Sequence, residues 1–258
     1  MHQKTSNMLI AIAIKNNGNW DKIRNDITKR RWPTDEEIEA AASVQAITLV
    51  DPEYPIELKE TYKPPFVLFF KGDITLLEKD YSKRLGVVGS RALSVYKEED
   101  IKNILTSLVT KFDIVSGLAL GTDTIAHQTT VENGGKTIVV LGGGLNKCYP
   151  PSNKPLLDSI LATGGLVLSQ YPSDCEPSPD KFPQRDRIIA GLCKKLLVVE
   201  VKERSGTCIT VSFALQNGRE IYVLPITLSQ SNVNTELYNN KLIAKGANIY
   251  TGPEDLEN

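Results

Sequence analysis

Short apolar runs alternate with segments of helical periodicity from residue 84 to residue 224. The apolar runs predict six strands, at 85–89, 113–116, 137–141, 166–169, 196–201 and 220–224. The segments between them predict helices, at about 95–111, 122–132, 154–162, 185–193 and 208–217. Strands rich in Val, Ile and Leu that alternate with helices are typical of a mostly parallel sheet covered by helices on both faces. The pattern therefore predicts an α/β fold.

The chain before residue 84 follows different patterns. Apolar residues recur at helical spacing within 8–13, and Pro33-Thr34-Asp35 has the composition of a helix start. Residues 1–45 are therefore predicted to form a small helical N-terminal segment. A proline-rich stretch follows, and its apolar run at 66–70 predicts one strand surrounded by turns. We expect 46–258 to form the main domain.

The composition limits the classes of protein that the chain can belong to. With 258 residues, 41% hydrophobic and 24% charged, it is long enough for one large globular domain with a small appendage. A net charge of −1 argues against a protein coated in positive charge, but a local basic cleft remains compatible with it. The first 32 residues are locally basic, because two aspartates, Asp21 and Asp26, face seven cations. These cations are Lys4, Lys15, Lys22, Arg24, Lys29, Arg30 and Arg31.

Metal, disulfide and membrane chemistry find little support in the sequence. The four cysteines form no C-x-x-C pair, and the only two histidines are His2 and His127. The apolar run at 8–14 is too short to span a bilayer. We therefore expect reduced cysteines, no metal or other cofactor, no membrane span and a cytoplasmic protein.

Glycine and hydroxyl residues follow three of the predicted strands. Gly89-Ser90-Arg91 follows the first strand, Ser116-Gly117 with Gly121 follows the second, and 142–144 is a glycine triplet after the third. Ligands of open α/β sheets bind at the carboxyl ends of the strands, where backbone N–H groups can receive phosphate. Arginine at such a corner adds a forked donor that keeps its charge. The sequence therefore predicts a site for a polyanion.

Three later segments add candidates, each with a structural alternative. Lys181, Phe182, Arg185 and Arg187 place cations beside an aromatic ring, although Asp186 can instead hold one arginine in a structural bridge. The loop with Lys147 and Asn153 suits the rim of a ligand site or a structural Ω-loop equally well. Ser205-Gly206-Thr207 offers an anion-compatible corner or a simple helix cap.

These motifs together closely resemble the DNA-processing protein A family, also called the Smf family. The resemblance covers about residues 50–250. It is carried by the following segments: Tyr54-Pro55-x-x-Leu58, Pro64-Pro65-x-x-Leu68-x-x-Lys71-Gly72, Gly89-Ser90-Arg91, Ser116-Gly117-x-Ala119-x-Gly121-x-Asp123-x-x-Ala126-His127, Tyr149-Pro150-x-x-Asn153, Phe182-Pro183-x-Arg185-x-Arg187-Ile188-Ile189-Ala190-Gly191 and Ser205-Gly206-Thr207.

The resemblance implies an extended Rossmann-like domain in a bacterial cytoplasmic protein. Members bind single-stranded DNA during natural transformation, dimerise and help to load the RecA recombinase. Here the dimer interface could use the 208–245 region. Family members often carry a winged-helix domain about where this chain ends, so we expect that domain to be absent.

Carried over by position, the resemblance assigns roles to residues of this chain. Arg91 would be the main phosphate contact, and Lys181 and Phe182 would lie in the strand-binding pocket. Arg185 and Arg187 match an Arg-Asn-Arg motif in which Asp186 replaces the asparagine. The full expected DNA-binding set is Gly89, Ser90, Arg91, Ser116, Gly117, Gly121, Lys147, Asn153, Lys181, Phe182, Arg185, Arg187, Ser205, Gly206 and Thr207.

Two other functions compete with a non-catalytic role in binding DNA. Related Rossmann-like hydrolases that release bases from nucleotides carry Gly-Gly-x-Gly-Thr-x-x-Glu, and Thr210 stands where their carboxylate is needed. The same anion-binding corners would also suit a sensor of a small nucleotide.

Overall fold

A computed structural model describes residues 2–226 and 238–257. Residues 227–237, which belong to the 208–245 region considered for a dimer interface, lie outside this description. The helices of the described residues are α1 (His2–Lys15), α2 (Trp20–Thr28), α3 (Asp35–Ala41), α4 (Ile56–Lys59), α5 (Glu98–Thr106), α6 (Thr122–Glu132), α7 (Lys154–Ala162), α8 (Lys181–Leu192), α9 (Gly206–Gln216) and α10 (Asn239–Ala244).

One sheet contains all nine strands of the described part of the chain. They are β1 (Ala46–Thr48), β2 (Val67–Gly72), β3 (Arg84–Val88), β4 (Asp113–Ser116), β5 (Thr137–Val140), β6 (Leu166–Ser169), β7 (Lys195–Val198), β8 (Glu220–Val223) and β9 (Asn248–Ile249). Their order is β1-β2-β6-β5-β4-β3-β7-β8-β9. The strands from β3 to β9 run parallel, and β1 and β2 add an antiparallel edge. The predicted α/β class and the mostly parallel sheet are confirmed.

The edges of the sheet differ from the sequence prediction. We expected one strand before residue 84, but β1 pairs antiparallel with β2. We also expected β8 to close the series, but β9 pairs with it. Both additions are too short, at three and two residues, to show a periodic pattern.

The order of the strands determines where a ligand can bind. From β3 the chain builds outward to β6, and then crosses to the other side of β3 to form β7. Val88, the last residue of β3, lies beside Val198, the last residue of β7. A sheet that reverses its winding in this way opens a crevice at the carboxyl ends of the two strands. The crevice therefore lies between the segments that follow β3 and β7.

Helices cover both faces of the sheet, as predicted. Apolar side chains of α4, α8, α9 and α10 pack on one face, against strand residues such as Val88, Val140 and Val198. The other face has two clusters, one with α5 and α6 and one with α1, α2 and α7. Alternate strand residues supply the two faces because successive side chains of a strand point in opposite directions.

The N-terminal segment is helical, as predicted, and packs on the sheet. Leu9 and Ile12 of α1 share a cluster of buried residues with Phe69 of β2. Thr34 begins α3 with a capping box, in which its hydroxyl accepts the Glu37 N–H and its own N–H donates to the Glu37 carboxylate. Within the described residues, no helix is long and apolar enough to cross a membrane.

A buried ion pair fixes the start of β3. Arg84 Nη2 lies 2.5 Å from Glu57 Oε1 of α4, and the two side chains are only 1% and 9% exposed. Nε and Nη1 of Arg84 have no hydrogen-bond partner in the structure. The guanidinium therefore depends on the Glu57 carboxylate to compensate for its burial.

We expect Glu57→Gln to lower the free energy of unfolding by about 3 kcal/mol, because it leaves a buried guanidinium without its counter-charge. The double substitution Glu57→Leu/Arg84→Met should recover most of that loss, since it removes both charges. Urea denaturation of the three proteins measures the difference. A loss below about 1 kcal/mol in the single variant would contradict the assigned role of the pair.

Candidate nucleic-acid interface

A cleft opens at the carboxyl ends of β3 and β7, where the strand order places a crevice. It has a volume of about 420 Å³. The residues that line it come from the segments after β3, β4 and β7 and from α8. They are Val88, Gly89, Ser90, Arg91, Ala92, Ala119, Asp123, Arg185, Asp186, Ile189, Lys202, Ser205, Gly206, Thr207 and Thr210. Seven of the residues predicted from the sequence therefore lie together.

Arg91 lies exposed at the rim of this cleft. Its guanidinium carbon is 5.4 Å from the centroid of the Phe182 ring, a distance at which a cation is attracted to the face of an aromatic ring. Among the described residues, no carboxylate forms an ion pair with Arg91. Its charge is therefore available to a ligand.

An aromatic pair adjoins Arg91. The rings of Phe182 and Tyr149 lie 5.5 Å apart with their planes at 39°, and Tyr149 is 47% exposed. A side pocket of about 60 Å³ joins the two rings to Arg91 and Gly117. Gly142 contacts the Phe182 ring so closely that an added Cβ would lie 2.6 Å from it. The rings are thus held beside the cation, in reach of a flat ligand.

Arg185 lies beneath the cleft and is buried, with 4% exposure. Its Nε is 2.9 Å from Asp186 Oδ1, and its Nη1 is 3.8 Å from Asp123 Oδ2. The guanidinium fills the space above Gly117, where an added Cβ would lie 1.1 Å from Nη1. Arg185 is therefore the structural arginine of the motif, and its charge is already compensated by two carboxylates.

The two aspartates give the floor of the cleft a negative character. Asp123 accepts the N–H groups of Gly117 and Ala119, each at 3.2 Å. Burial raises the pKa of Asp123, and Arg185 opposes this shift. Burial raises the pKa of Asp186 to about 6, again against Arg185. The floor thus holds two carboxyl groups beside one guanidinium, and burial opposes the charged form of both carboxyl groups.

The segment after β7 forms the opposite wall of the cleft. The hydroxyl of Thr207 donates to the Gly89 carbonyl at 3.0 Å and so ties this wall to the segment after β3. The helix α9 begins at Gly206, and the Ser205 side chain does not cap it. The free N–H groups of a first helical turn carry partial positive charge and favour anions. Lys202 adds a cation to the same wall.

A buried carboxylate occupies the turn between β3 and α5. Glu200 is fully buried and accepts the N–H groups of Ser94, Val95 and Tyr96 at 2.9, 3.1 and 3.4 Å. The N–H groups of residues 94–96 are therefore not available to a phosphate. Their donors are satisfied by a carboxylate from the neighbouring strand end.

Several residues of the expected set support the loops that surround the cleft. Ser116 is buried and donates to the Val87 carbonyl at 2.7 Å. Gly121, at φ +71°, contacts the carbonyl groups of Ser90 and Arg91, where a side chain would clash. Asn153 is buried and donates to the Leu118 carbonyl at 2.9 Å. Ser116, Gly121 and Asn153 therefore hold the loops that surround the cleft in place.

The remaining cations of the set lie away from the cleft. Lys147 pairs with Glu176 at 2.6 Å, and Lys181 donates to the Glu176 carbonyl and lies 5.4 Å from the Tyr171 ring. Lys181 lines a separate groove between α1 and the 172–176 loop. Arg187 is buried and donates to Gln170 Oε1 at 3.3 Å. The sequence predicts Arg91, Lys181 and an arginine of the 185–187 pair in one trough. The structure places Arg185 in the lining of the cleft with Arg91, but Lys181 and Arg187 lie away from it.

Sequence analysis missed two residues at the site, Lys202 and Glu200. Lys202 directly follows the predicted strand 196–201, so the strand-end rule already applied to Arg91 would have found it. Glu200 stands between Val199 and Val201 in an apolar run, and a carboxylate there requires buried donors. His127 lies in α6, and its Nδ1 forms a hydrogen bond of 2.7 Å with Thr137 Oγ1. Burial lowers the pKa of His127 to about 3. This histidine is a packed core residue.

Within the described residues, no group of three or more His, Cys, Asp and Glu side chains is arranged to hold a metal ion. The four cysteines are free.

Comparisons with known proteins agree with the geometry. The family model of the DNA recombination-mediator protein A matches residues 45–258. The chain is 39% identical over 211 residues to DNA processing protein DprA of Streptococcus pneumoniae, covering 82% of this chain and 72% of that protein. A solved structure of the Streptococcus pneumoniae protein matches with a TM-score of 0.76 and 36% identity, covering 92% of this chain and 80% of that one.

A second solved structure, of DNA processing protein A from Helicobacter pylori, concerns the single-stranded DNA binding mode of that protein. It matches with a TM-score of 0.70 and 26% identity, covering 83% of this chain and 94% of that one. The family model spans the whole sheet from β1 onward, and both cleft walls lie within it. This chain belongs to the DNA recombination-mediator protein A family.

Proposed function

We propose that this protein binds single-stranded DNA without catalysis and acts in DNA processing during natural transformation. The observation that carries the proposal is Arg91, an exposed cation at the rim of the cleft, set against the rings of Phe182 and Tyr149. A phosphate binds to a cation, and a base stacks on a ring whatever its sequence. The single-stranded DNA binding mode of the Helicobacter pylori protein supports the same ligand.

The chemistry of binding follows from the two walls of the cleft. Arg91 on one wall, and Lys202 with the first N–H groups of α9 on the other, would hold phosphate groups. Phe182 and Tyr149 would stack bases, at about 1–3 kcal/mol per base. Each neutralised phosphate releases counterions, so the affinity falls as salt rises. The charged carboxylate of Asp186 repels the same phosphates and limits the affinity near neutral pH.

The proposed partners and cellular location rest on the family to which the chain belongs. We propose that the protein protects incoming DNA in the cytoplasm of a competent bacterium, forms a homodimer and helps to load the RecA recombinase. The name of the family model, a recombination mediator, supports such a partner.

One observation favours a second candidate, hydrolysis of a nucleotide. Asp186 has a pKa of about 6, and its carboxylate interacts with Thr210, the residue that stands in the place of a hydrolase carboxylate. A carboxyl group with a pKa near the working pH can act as a general acid or base. Incubation with nucleoside monophosphates tests this candidate, since release of a free base supports hydrolysis and intact nucleotide argues for binding alone.

The first prediction concerns Arg91. We expect Arg91→Ala to weaken binding of oligo(dT) about tenfold or more and to reduce the slope of log affinity against log salt by about 1, because one phosphate contact is lost. A salt-dependent titration by fluorescence anisotropy measures both values. Lys83→Ala removes one exposed positive charge at the other end of β3 and should leave both values unchanged. Equal binding by wild type and Arg91→Ala would overturn the proposed site.

The second prediction concerns Asp186. Its carboxyl is charged above pH 6 and neutral below, so oligo(dT) should bind more tightly as the pH falls from 7.5 to 5.5. Asp186→Asn should bind more tightly at pH 7.5 and lose most of this dependence. Oligo(dT) suits the titration, because thymine gains no proton in this range.

Asp158→Asn is the matched control, since it removes an exposed carboxylate from α7, far from the cleft. It should keep the wild-type pH profile. A flat profile in the wild type, or an unchanged affinity in Asp186→Asn, would show that the floor of the cleft does not control binding.

A further inference from the structure

Cations and aromatic rings also cluster at a second place, on α2 and the turn at 62–66. The Trp20 ring lies 4.8 Å from Lys63 Nζ and 5.7 Å from the guanidinium carbon of Arg24. Tyr62 is 67% exposed, and its ring lies 5.9 Å from Lys63 Nζ. We call this cluster of Trp20, Arg24, Tyr62 and Lys63 the N-terminal patch.

The rings of the patch are held in place. The indole N–H of Trp20 donates to the Pro64 carbonyl at 2.8 Å, and its ring centroid lies 5.3 Å from that of Phe66. Rings fixed in this way lose little freedom when a base stacks on them. Two cations beside an aromatic platform are the elements with which proteins bind unpaired nucleic acid.

The local charge favours an anionic partner. Residues 1–32 carry seven lysines and arginines against two aspartates, in a chain whose net charge is −1. Asp21 pairs with Lys63 at 2.8 Å, and the Asp21 side chain is 72% exposed. Arg24 forms no ion pair within the described residues and keeps its charge for a ligand.

Contacts connect the patch to the cleft. Phe182 adjoins Arg91, and its neighbour Lys181 lies over the Tyr171 ring. An added Cβ on Gly18, two residues before Trp20, would lie 2.9 Å from Tyr171 Cδ1. The preceding residue, Gln170, donates to the Gly18 carbonyl at 3.3 Å. Contacts thus link Lys181, through Tyr171, to the turn that precedes α2.

We propose that the N-terminal patch is a second contact for single-stranded DNA, reached by a strand that leaves the cleft past Lys181. This inference rests on the proposed function, because it extends the path of the same ligand. A short oligonucleotide fills the cleft alone, whereas a longer one also stacks on Trp20 and Tyr62. The N-terminal helices then lengthen the site and raise the affinity for long strands.

Tryptophan fluorescence tests the proposal directly. The chain has two tryptophans, Trp20 and Trp32, and the cleft lining contains neither. In the variant Trp32→Phe the emission reports on Trp20 alone. We expect oligo(dT) of about 20 nucleotides to quench it, and oligo(dT) of about 5 nucleotides to bind without quenching. No quenching by the long strand, although it binds, would overturn the inference.

Substitutions provide a second measurement. Arg24→Ala/Tyr62→Ala should weaken binding of the long oligo(dT) about tenfold and leave the short one unchanged. Arg24→Ala/Tyr62→Phe should recover part of the loss, because the ring remains. Lys22→Ala removes a charge from another face of α2 and should have no such effect.

The outcomes separate the two proposals. If the wild type fails to bind the short strand, or Arg91→Ala leaves its binding unchanged, the proposed function itself fails. If Arg91→Ala weakens both strands while Arg24→Ala/Tyr62→Ala weakens neither, the cleft is correct and the second contact is wrong. Equal weakening of both strands by the N-terminal variant would also contradict a contact reserved for long strands.

Discussion

The buried contact between Arg185 and its two carboxylates is the interaction on which the site depends. It joins α8 to the loop after β4, because Asp186 lies on α8 and Asp123 at the start of α6. Arg185 Nη1 also approaches the Val140 carbonyl, at 3.5 Å, at the end of β5. A buried charge must be compensated, so these segments are held at fixed positions relative to each other. The corners that form the cleft are built on this floor.

The same contact explains why the cleft cannot rely on Arg185 to bind DNA. Two carboxylates and one guanidinium leave the floor with an excess of negative charge when all are ionised. Attraction for phosphate must therefore come from the rim, from Arg91, Lys202 and the first turn of α9. Different residues therefore stabilise the floor of the cleft and attract phosphate at its rim. Asp186 affects both, because it pairs with Arg185 and its negative charge opposes the attraction of anions into the cleft.

The central fold was predictable because buried parallel strands are continuous apolar runs. The six predicted strands follow from that rule, whereas β1 and β9 are too short to produce a pattern. The position of Arg91 followed from the end of β3, since ligands gather at the carboxyl ends of strands. The order of the strands, and with it the pairing of β3 with β7, depends on packing between distant segments. No local pattern specifies it.

The cations of α8 show where prediction from the sequence stopped. The predicted helix began at about 185, but α8 begins at Lys181, so Arg185 and Arg187 both lie inside it. Residues two apart on a helix point in nearly opposite directions, so only one of them can face the cleft. Which arginine faces the cleft therefore depends on the residue at which α8 begins. No capping residue marks this start, because the Asp180 side chain makes no capping hydrogen bond. Lys181 similarly faces Tyr171 because of where the first turn of α8 begins.

The carboxylate of Glu200 limits the binding of phosphate at the turn after β3. In many nucleotide-binding α/β proteins, the turn after the first parallel strand receives the phosphate of a mononucleotide. Here that turn already contains an anion supplied by the chain itself, with the donors of residues 94–96 satisfied. Under the proposed function, a free nucleotide would meet only the rim contacts, one phosphate at a time, whereas a polymer would engage several of them together. The preference for a polymer would then arise in part from a charge that the protein holds in its own interior.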